Sequence, residues 1–266
     1  MNPTRTLFAM LVLCCWLCQG AAPTVEAQQR KTNKKFVNFR QPKREYEKLK
    51  VGKLALRVEK QLVKESPTLA RRAAARLSKN INLALSKLPR HARPVLQEIP
   101  FYLMYGSKAK GGGRDNGLAY FQKDAPQHRP ELDENWGSSI VVYSADNYIQ
   151  LTDFWALKAV VHELAHAYQL EQWPEKQPDI LDAWKHAMDL GLHHQVRDDK
   201  RKLVAESYAS VNQLEYFAEL SCMYFVGCNY QPFNRRELQA YDRQGFEMIK
   251  KMWFRKPDRE SDKTQK

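Results

Sequence analysis

The sequence predicts an α+β fold in which a small mixed sheet precedes a mostly helical C-terminal half. Short apolar runs that alternate or are rich in aromatic residues lie in the first half, and longer segments with helical spacing follow them. The length of 266 residues and the hydrophobic content of 43% suit one domain with a substantial core. We therefore expect a single folded unit rather than a disordered or repetitive chain.

The first residues have the organisation of a secretory signal peptide. Arg5 supplies a positive charge, Leu7 to Leu17 form an apolar segment, and Val25-Glu26-Ala27 offers a cleavage site. The apolar segment is shorter than the roughly 18 residues that a transmembrane helix needs. We therefore predict a signal peptide at 1–27 and a protein that is secreted or periplasmic.

A basic, partly disordered arm is expected at residues 28–45. From Gln28 to Lys64 the sequence has 13 Lys and Arg against 3 Glu, within a formal charge of +13 for the whole chain. Such an arm is either a solvated leader or a contact for an anionic surface, such as lipid headgroups or acidic polysaccharide. Nucleic acid is not expected as a partner, because the sequence of this exported chain has no recognisable recognition module.

The folded domain is predicted to span residues 46–254, with a charged tail at 255–266. Its strands are recognised by alternation or by aromatic content, and its helices by helical spacing and capping residues. The predicted strands are Leu54 to Val58, Ile99 to Tyr105, GLAYF at 117–121 and Ser138 to Asn147. The predicted helices are one from the cap Ser66 to Pro89, one from Thr152 or Asp153 to Leu170, Asp179 to Leu190, Val211 to Phe225, and a last one from the capping box Asn234–Glu237 to Phe254. The polar HHQVRDDKRK segment at 193–202 is predicted to be a loop.

The segment VVHELAHAY contains two histidines one helical turn apart. His162 and His166 therefore project from one face of a helix and can bind one ion, for which neutral imidazole favours Zn²⁺. Glu163 points beside the pair, where it can accept a proton from a water molecule. The alternative is a pair of histidines buried in a core without a metal. The uncharged neighbours Val160, Val161, Leu164 and Ala165 suit a site helix packed in a core.

A catalytic zinc site needs a third protein ligand. Glu171, Glu206, Glu215 and Glu219 are the acids considered, and Glu215 and Glu219 lie one turn apart on a helix that is otherwise largely apolar. Two carboxylates on such a helix need partners, so a solvated acidic face is the weaker interpretation. One of the two acids can bind the metal while the other accepts a hydrogen bond from a ligand histidine.

The two segments together resemble the gluzincin metallopeptidases. HELAH, followed by the helix segment YASVNQLEYFAE, is similar to the zinc-binding region of the anthrax lethal factor catalytic domain and its small secreted relatives. The resemblance covers 138–225 and implies a zincin-like fold. It places Tyr208 at a catalytic Tyr, Asn212 at a supporting Asn, Glu215 at the zinc ligand and Glu219 at the acid behind a ligand histidine. The toxin's large accessory domains have no counterpart here, so its substrate preference is not implied.

These assignments predict a secreted zinc-dependent endopeptidase that acts as a monomer on a peptide or protein substrate. One Zn²⁺ per chain is held by His162, His166 and Glu215, Glu163 is the general base, and Tyr208 donates to the developing oxyanion. The segment 138–147 is expected to be an edge strand that binds extended substrate. An exopeptidase is less favoured, since we find no motif for capturing a chain terminus. The alternative from another class is an exported protein that binds anionic surfaces and has a non-catalytic metal site.

Two further pairs of residues are assigned structural or surface positions. Cys222 and Cys228 are the cysteines that remain after the signal peptide, and in an oxidising compartment they could form a disulfide. His193 and His194 precede a charged segment and are expected to be exposed.

Overall fold

The computed structural model describes residues 37–51 and 54–255. The predicted signal peptide, the start of the basic arm and residues 256–266 of the predicted tail lie outside the described residues. The strands are β1 (Tyr46–Val51), β2 (Leu54–Glu59), β3 (Phe101–Leu103), β4 (Leu118–Phe121), β5 (Ser139–Val142), β6 (His194–Arg197) and β7 (Leu203–Glu206). The α-helices are α1 (Lys60–Glu65), α2 (Pro67–Lys87), α3 (Arg93–Gln97), α4 (Ala125–His128), α5 (Ala145–Gln150), α6 (Asp153–Gln172), α7 (Pro178–Asp189), α8 (Gln213–Phe225), α9 (Arg235–Tyr241) and α10 (Arg243–Phe254).

The fold is α+β with a small mixed sheet, as the sequence predicts. Its strand order is β1-β2-β3-β5-β4. Strands β2, β3 and β5 run parallel, whereas β1 and β4 run antiparallel to their neighbours. Helices α2 and α6 pack together, and α6 also contacts β4 and α8. Helix α6 is therefore held between the sheet and the C-terminal helices.

The predicted substrate-binding edge strand was assigned to the wrong segment. Within 138–147, only Ser139–Val142 forms a strand, and β5 lies inside the sheet between β3 and β4. Beyond it, Ser144 accepts a hydrogen bond from Asn147 N and begins helix α5. The outer strand on this side is β4, so an extended chain would have to pair with β4.

The basic arm does not extend to residue 45 as a separate segment. Phe39 is buried, and its ring centroid lies 4.8 Å from that of Trp136. Its backbone N–H donates to the carbonyl of Glu131 at 2.7 Å. Arg44 forms a buried ion pair with Glu59. Residues 37–45 therefore belong to the packed domain, which begins before the expected Tyr46.

Three local predictions in the helical half differ from the structure. The segment at 193–202 contributes to an antiparallel hairpin of β6 and β7 instead of a loop. The last predicted helix is two helices, since Asp242 ends α9 and caps α10 through Gly245 N. His193, expected to be exposed, is fully buried, because its ring packs against Tyr216 and Tyr241 and its Nε2 lies 2.9 Å from Oδ2 of Asp242.

Caps explain where several predicted helices start. Thr152 accepts from Trp155 N at the start of α6, and Asn234 accepts from the backbone N–H groups of Arg236 and Glu237 at the start of α9. Ser66 precedes α2 but makes no side-chain cap, because its hydroxyl is hydrogen-bonded to Tyr105 at 2.9 Å. Across the described ranges, none of the helices combines the length and apolar character needed to cross a bilayer.

Candidate metal centre

Helix α6 presents the two histidines and the glutamate of HELAH at its buried middle. His162, Glu163 and His166 are each less than one-twentieth exposed. The two imidazole rings are 4.7 Å apart at their centroids and nearly perpendicular. The helix therefore directs both rings toward α8 without opening them broadly to solvent.

Three side-chain atoms converge between α6 and α8. Nε2 of His162, Nε2 of His166 and Oε2 of Glu215 form a triangle with sides of 3.0, 3.1 and 3.2 Å. Donor atoms around one tetrahedral Zn²⁺, each bound at about 2.0–2.1 Å, lie about 3.3–3.4 Å apart. The donor set therefore has the chemistry, and nearly the spacing, of three zinc ligands.

Asn212 controls the position of Glu215. As the N-cap of α8, its side-chain oxygen accepts from the backbone N–H groups of Leu214 and Glu215, each at 2.9 Å. The cap fixes the first turn of α8, in which Glu215 lies. Asn212 thus supports the cluster through the backbone of the helix.

Glu219 lies one turn further along α8 and contacts the other nitrogen of His162. Its Oε1 is 2.9 Å from Nδ1 of His162. If Nδ1–H donates to this carboxylate, Nε2 keeps its lone pair for an ion. The two acids predicted from the sequence therefore have different positions. Glu215 contacts Nε2 of both histidines, and Glu219 contacts Nδ1 of His162.

Charges in the cluster change the affinity of each group for protons. Burial alone would raise the pKa of Glu215, but the charge of His166 and hydrogen bonds from both histidines lower that pKa to about 2. Burial would lower the pKa of His162, but hydrogen bonding with Cys222, Glu215 and Glu219 raises it well above its ordinary value. The two carboxylates therefore favour positive charge on the imidazole between them.

Among the described residues, a second group of potential ligands shares His162. It consists of His162, Glu219 and Cys222. Lys158 already pairs with Glu219 at 2.8 Å, and burial raises the pKa of the Cys222 thiol. A protonated thiol and an already paired carboxylate are poor ligands, so His162, His166 and Glu215 form the better cation site. Cys222 and Cys228 are both free thiols rather than a disulfide.

Glu163 is held against the edge of the sheet. Its Oε2 accepts a hydrogen bond of 2.7 Å from the backbone N–H of Tyr120 in β4. Burial raises the pKa of Glu163, although the charges of His162 and His166 oppose this shift. A carboxylate with a raised pKa next to a cation site is suited to accept and return protons.

Tyr208 lies beside the cluster on a short 3₁₀ turn, Tyr208–Ser210, between β7 and α8. Its ring centroid is 5.7 Å from that of His162, and the residue is half-buried. The structure therefore places Tyr208 next to the ring of His162. The other acids that the sequence offered, Glu171 and Glu206, are exposed and lie outside the cluster.

Sequence reasoning missed three residues that touch this centre. Tyr120 holds Glu163, and Lys158 and Tyr230 both hydrogen-bond to Glu219. Lys158 gives a signal in the sequence, since it is a lysine one turn before His162 on an otherwise apolar helix face. Tyr120 and Tyr230 give none, because only the tertiary fold brings them near the site.

Comparisons with protein-family models, with curated proteins and with solved structures found no match to this chain.

Proposed function

We propose that this chain is a secreted zinc endopeptidase with a zincin-like fold of the gluzincin type. One observation carries the proposal: two imidazole nitrogens and a carboxylate oxygen meet within 3.2 Å beside a buried glutamate. Three protein ligands leave a fourth position open for water or substrate, as in catalytic zinc sites. A structural zinc site usually has four protein ligands, which argues against the alternative of a surface-binding protein with a non-catalytic metal.

The proposed roles follow from position. Zinc, when bound by His162, His166 and Glu215, supplies a Lewis acid that activates water and polarises a carbonyl. Glu163 accepts the proton of the attacking water and returns it to the leaving amine. Tyr208 donates its phenolic hydrogen bond to the negative charge that develops on the carbonyl oxygen.

The proposed substrate is an extended peptide that pairs with β4. Within the described part of the sheet, β4 pairs with β5 and has its other side directed toward α6, where Tyr120 N meets Glu163. Pairing of this kind reads the backbone of a peptide and places little demand on its sequence. It does not require a chain terminus, which favours internal cleavage over removal of terminal residues.

Hydrolysis of denatured casein tests this function directly. We expect the zinc-loaded protein to cleave casein, a chelator to abolish cleavage, and zinc to restore it. The variant His166→Ala should lose both bound zinc and cleavage, whereas His186→Ala, which changes an exposed histidine outside the cluster, should keep both. Cleavage that survives complete metal removal would exclude the proposed mechanism, and no cleavage by the zinc-loaded protein would favour the surface-binding alternative.

A further inference from the structure

The second carboxylate oxygen of Glu219 is surrounded by donors from two other parts of the chain. Nζ of Lys158 lies 2.8 Å from Oε2, and the hydroxyl of Tyr230 donates to the same oxygen at 2.5 Å. The thiol of Cys228 contacts it at 3.4 Å. Oε1, the other oxygen, is the one that faces Nδ1 of His162. Oε2 of the carboxylate is therefore fixed by these donors, and Oε1 remains available to accept a hydrogen bond from His162.

Lys158 is an unusual residue to find at this depth. Its side chain is 0% exposed, and it pairs with a carboxylate that is also 0% exposed. Burying such a pair adds little net stability compared with apolar residues of similar size. Its ammonium also donates to Oδ1 of Asn229 at 3.0 Å, which fixes it from a second direction. Stability alone therefore does not explain the pair, and a role in positioning the Glu219 carboxylate explains it better.

The arrangement restricts rotation of the Glu219 carboxylate. Lys158 and His162 lie one turn apart on α6. Glu219 on α8 contacts Lys158 through Oε2 and His162 through Oε1. Rotation of the carboxylate that took Oε1 away from Nδ1 would break the bonds from Lys158 and Tyr230 at the same time. Because Nδ1 of His162 has this fixed acceptor, its ring is held with Nε2 toward His166 and Glu215.

We propose that Lys158 and Tyr230 are positioning residues for the metal centre, acting through Glu219 to fix the ring orientation of His162. The inference rests on the proposed metal site but does not depend on which bond the enzyme cleaves. The hydrogen bonds from both residues go to Oε2 of Glu219, so this route to the metal centre runs through the orientation of His162.

Zinc affinity measured by competition with a chelator tests this inference without using catalysis. We expect Lys158→Met to weaken zinc binding about 10- to 100-fold, as the loss of a partner behind a ligand does. Tyr230→Phe removes the hydroxyl that donates to Glu219 and accepts from Ala209 N, and should weaken binding about 3- to 10-fold. Arg44→Met is the matched control, because it breaks a buried ion pair with Glu59 far along the chain from the site. That variant should lose stability and keep wild-type zinc affinity.

The visible spectrum of cobalt-loaded protein gives a second readout. A looser His162 should change the d–d bands in Tyr230→Phe, whereas Arg44→Met should leave them as in the wild type. Should Lys158→Met fail to fold, Tyr230→Phe decides the question. Wild-type zinc affinity and spectrum in a folded Tyr230→Phe protein would overturn the positioning role. A wild-type chain that binds no zinc would instead overturn the proposed metal centre.

Discussion

The backbone N–H of Tyr120 donates to Oε2 of Glu163 at 2.7 Å, so the outer strand of the sheet meets the site helix at the proposed base. This bond connects strand β4 to helix α6 at one defined register. A peptide paired along β4 would therefore pass beside Glu163 and the three proposed ligands. In the proposed mechanism, this bond would bring the aligned substrate next to the group that transfers the proton.

The proposed base can be separated from the proposed ligands by replacing Glu163. Glu163→Gln keeps an oxygen that accepts from Tyr120 N but cannot take up a proton. We expect one zinc per chain by elemental analysis and a loss of casein hydrolysis of about 10²- to 10⁴-fold. Glu175→Gln, at an exposed position just beyond the same helix, should cleave normally. Full activity in Glu163→Gln would remove the role of base from this residue.

Glu215 is expected to be required for metal retention. Glu215→Ala removes the only carboxylate that faces both histidines in the described part of the chain. We predict that the purified variant contains much less zinc than the wild type, measured by elemental analysis after dialysis. Glu206→Ala, which changes an exposed acid in β7, provides the comparison. An unchanged zinc content would transfer the ligand role to Glu219.

Tyr208 is predicted to act on turnover without affecting the metal. Tyr208→Phe retains the ring beside His162 and removes the phenolic donor. Loss of one donor to a developing oxyanion lowers kcat by about 10²- to 10³-fold, and the zinc content should remain that of the wild type. Tyr241→Phe, outside the metal cluster, should keep its kcat. If Tyr208→Phe cleaves as fast as the wild type, another group must stabilise the oxyanion.

Cobalt substitution distinguishes the two groups of ligands that share His162. We expect d–d absorption of a tetrahedral site without a thiolate-to-cobalt charge-transfer band, since burial keeps the Cys222 thiol protonated and Lys158 occupies Glu219. Cys222→Ser should give the same spectrum as the wild type. A charge-transfer band that disappears in Cys222→Ser would place the ion on the other side of His162.

Local signals in the sequence predicted those features that depend on neighbouring residues. Thr152 and Asn234 each cap the helix that follows them, and the spacing of His162 and His166 placed both rings on one helix face. These features depend on contacts within about one turn of a helix, which the sequence pattern records directly.

The sequence did not predict the features that depend on contacts between residues far apart in the chain, such as the hairpin of β6 and β7 and the order of strands in the sheet. Val196 is the one buried residue of strands β6 and β7, so their sequence lacks the apolar alternation of a half-buried strand. Its turn is closed by Asp198, which accepts from the N–H groups of Lys200 and Lys202. The order of strands in the sheet likewise depends on long-range pairing, which is why β5 rather than β4 was assigned to the edge.

Asp242 is expected to make stability depend on pH. Its carboxylate accepts hydrogen bonds from Tyr216 and Gly245 N and contacts Nε2 of His193. Burial opposes ionisation, but the bonds from His193 and Tyr216 lower the pKa of Asp242 below its ordinary value. A lowered carboxyl pKa gives stability that is complete above the unfolded-state value of about 3.9 and is lost as the pH falls through the folded-state value.

The variant Asp242→Asn should therefore unfold more easily than the wild type at neutral pH, by about 1–3 kcal/mol, since its amide presents a donor where acceptors are needed. The difference should narrow as the pH falls below about 4, where the carboxylate of the unfolded chain takes up its proton, and on through the lowered pKa of Asp242 in the folded protein. Urea unfolding of metal-free protein at several pH values measures both effects without interference from zinc release. Asp182→Asn, at an exposed position of α7, should follow the wild-type curve. A destabilisation of Asp242→Asn that stays constant down to pH values of about 2 would show that the ionised carboxylate is not its source.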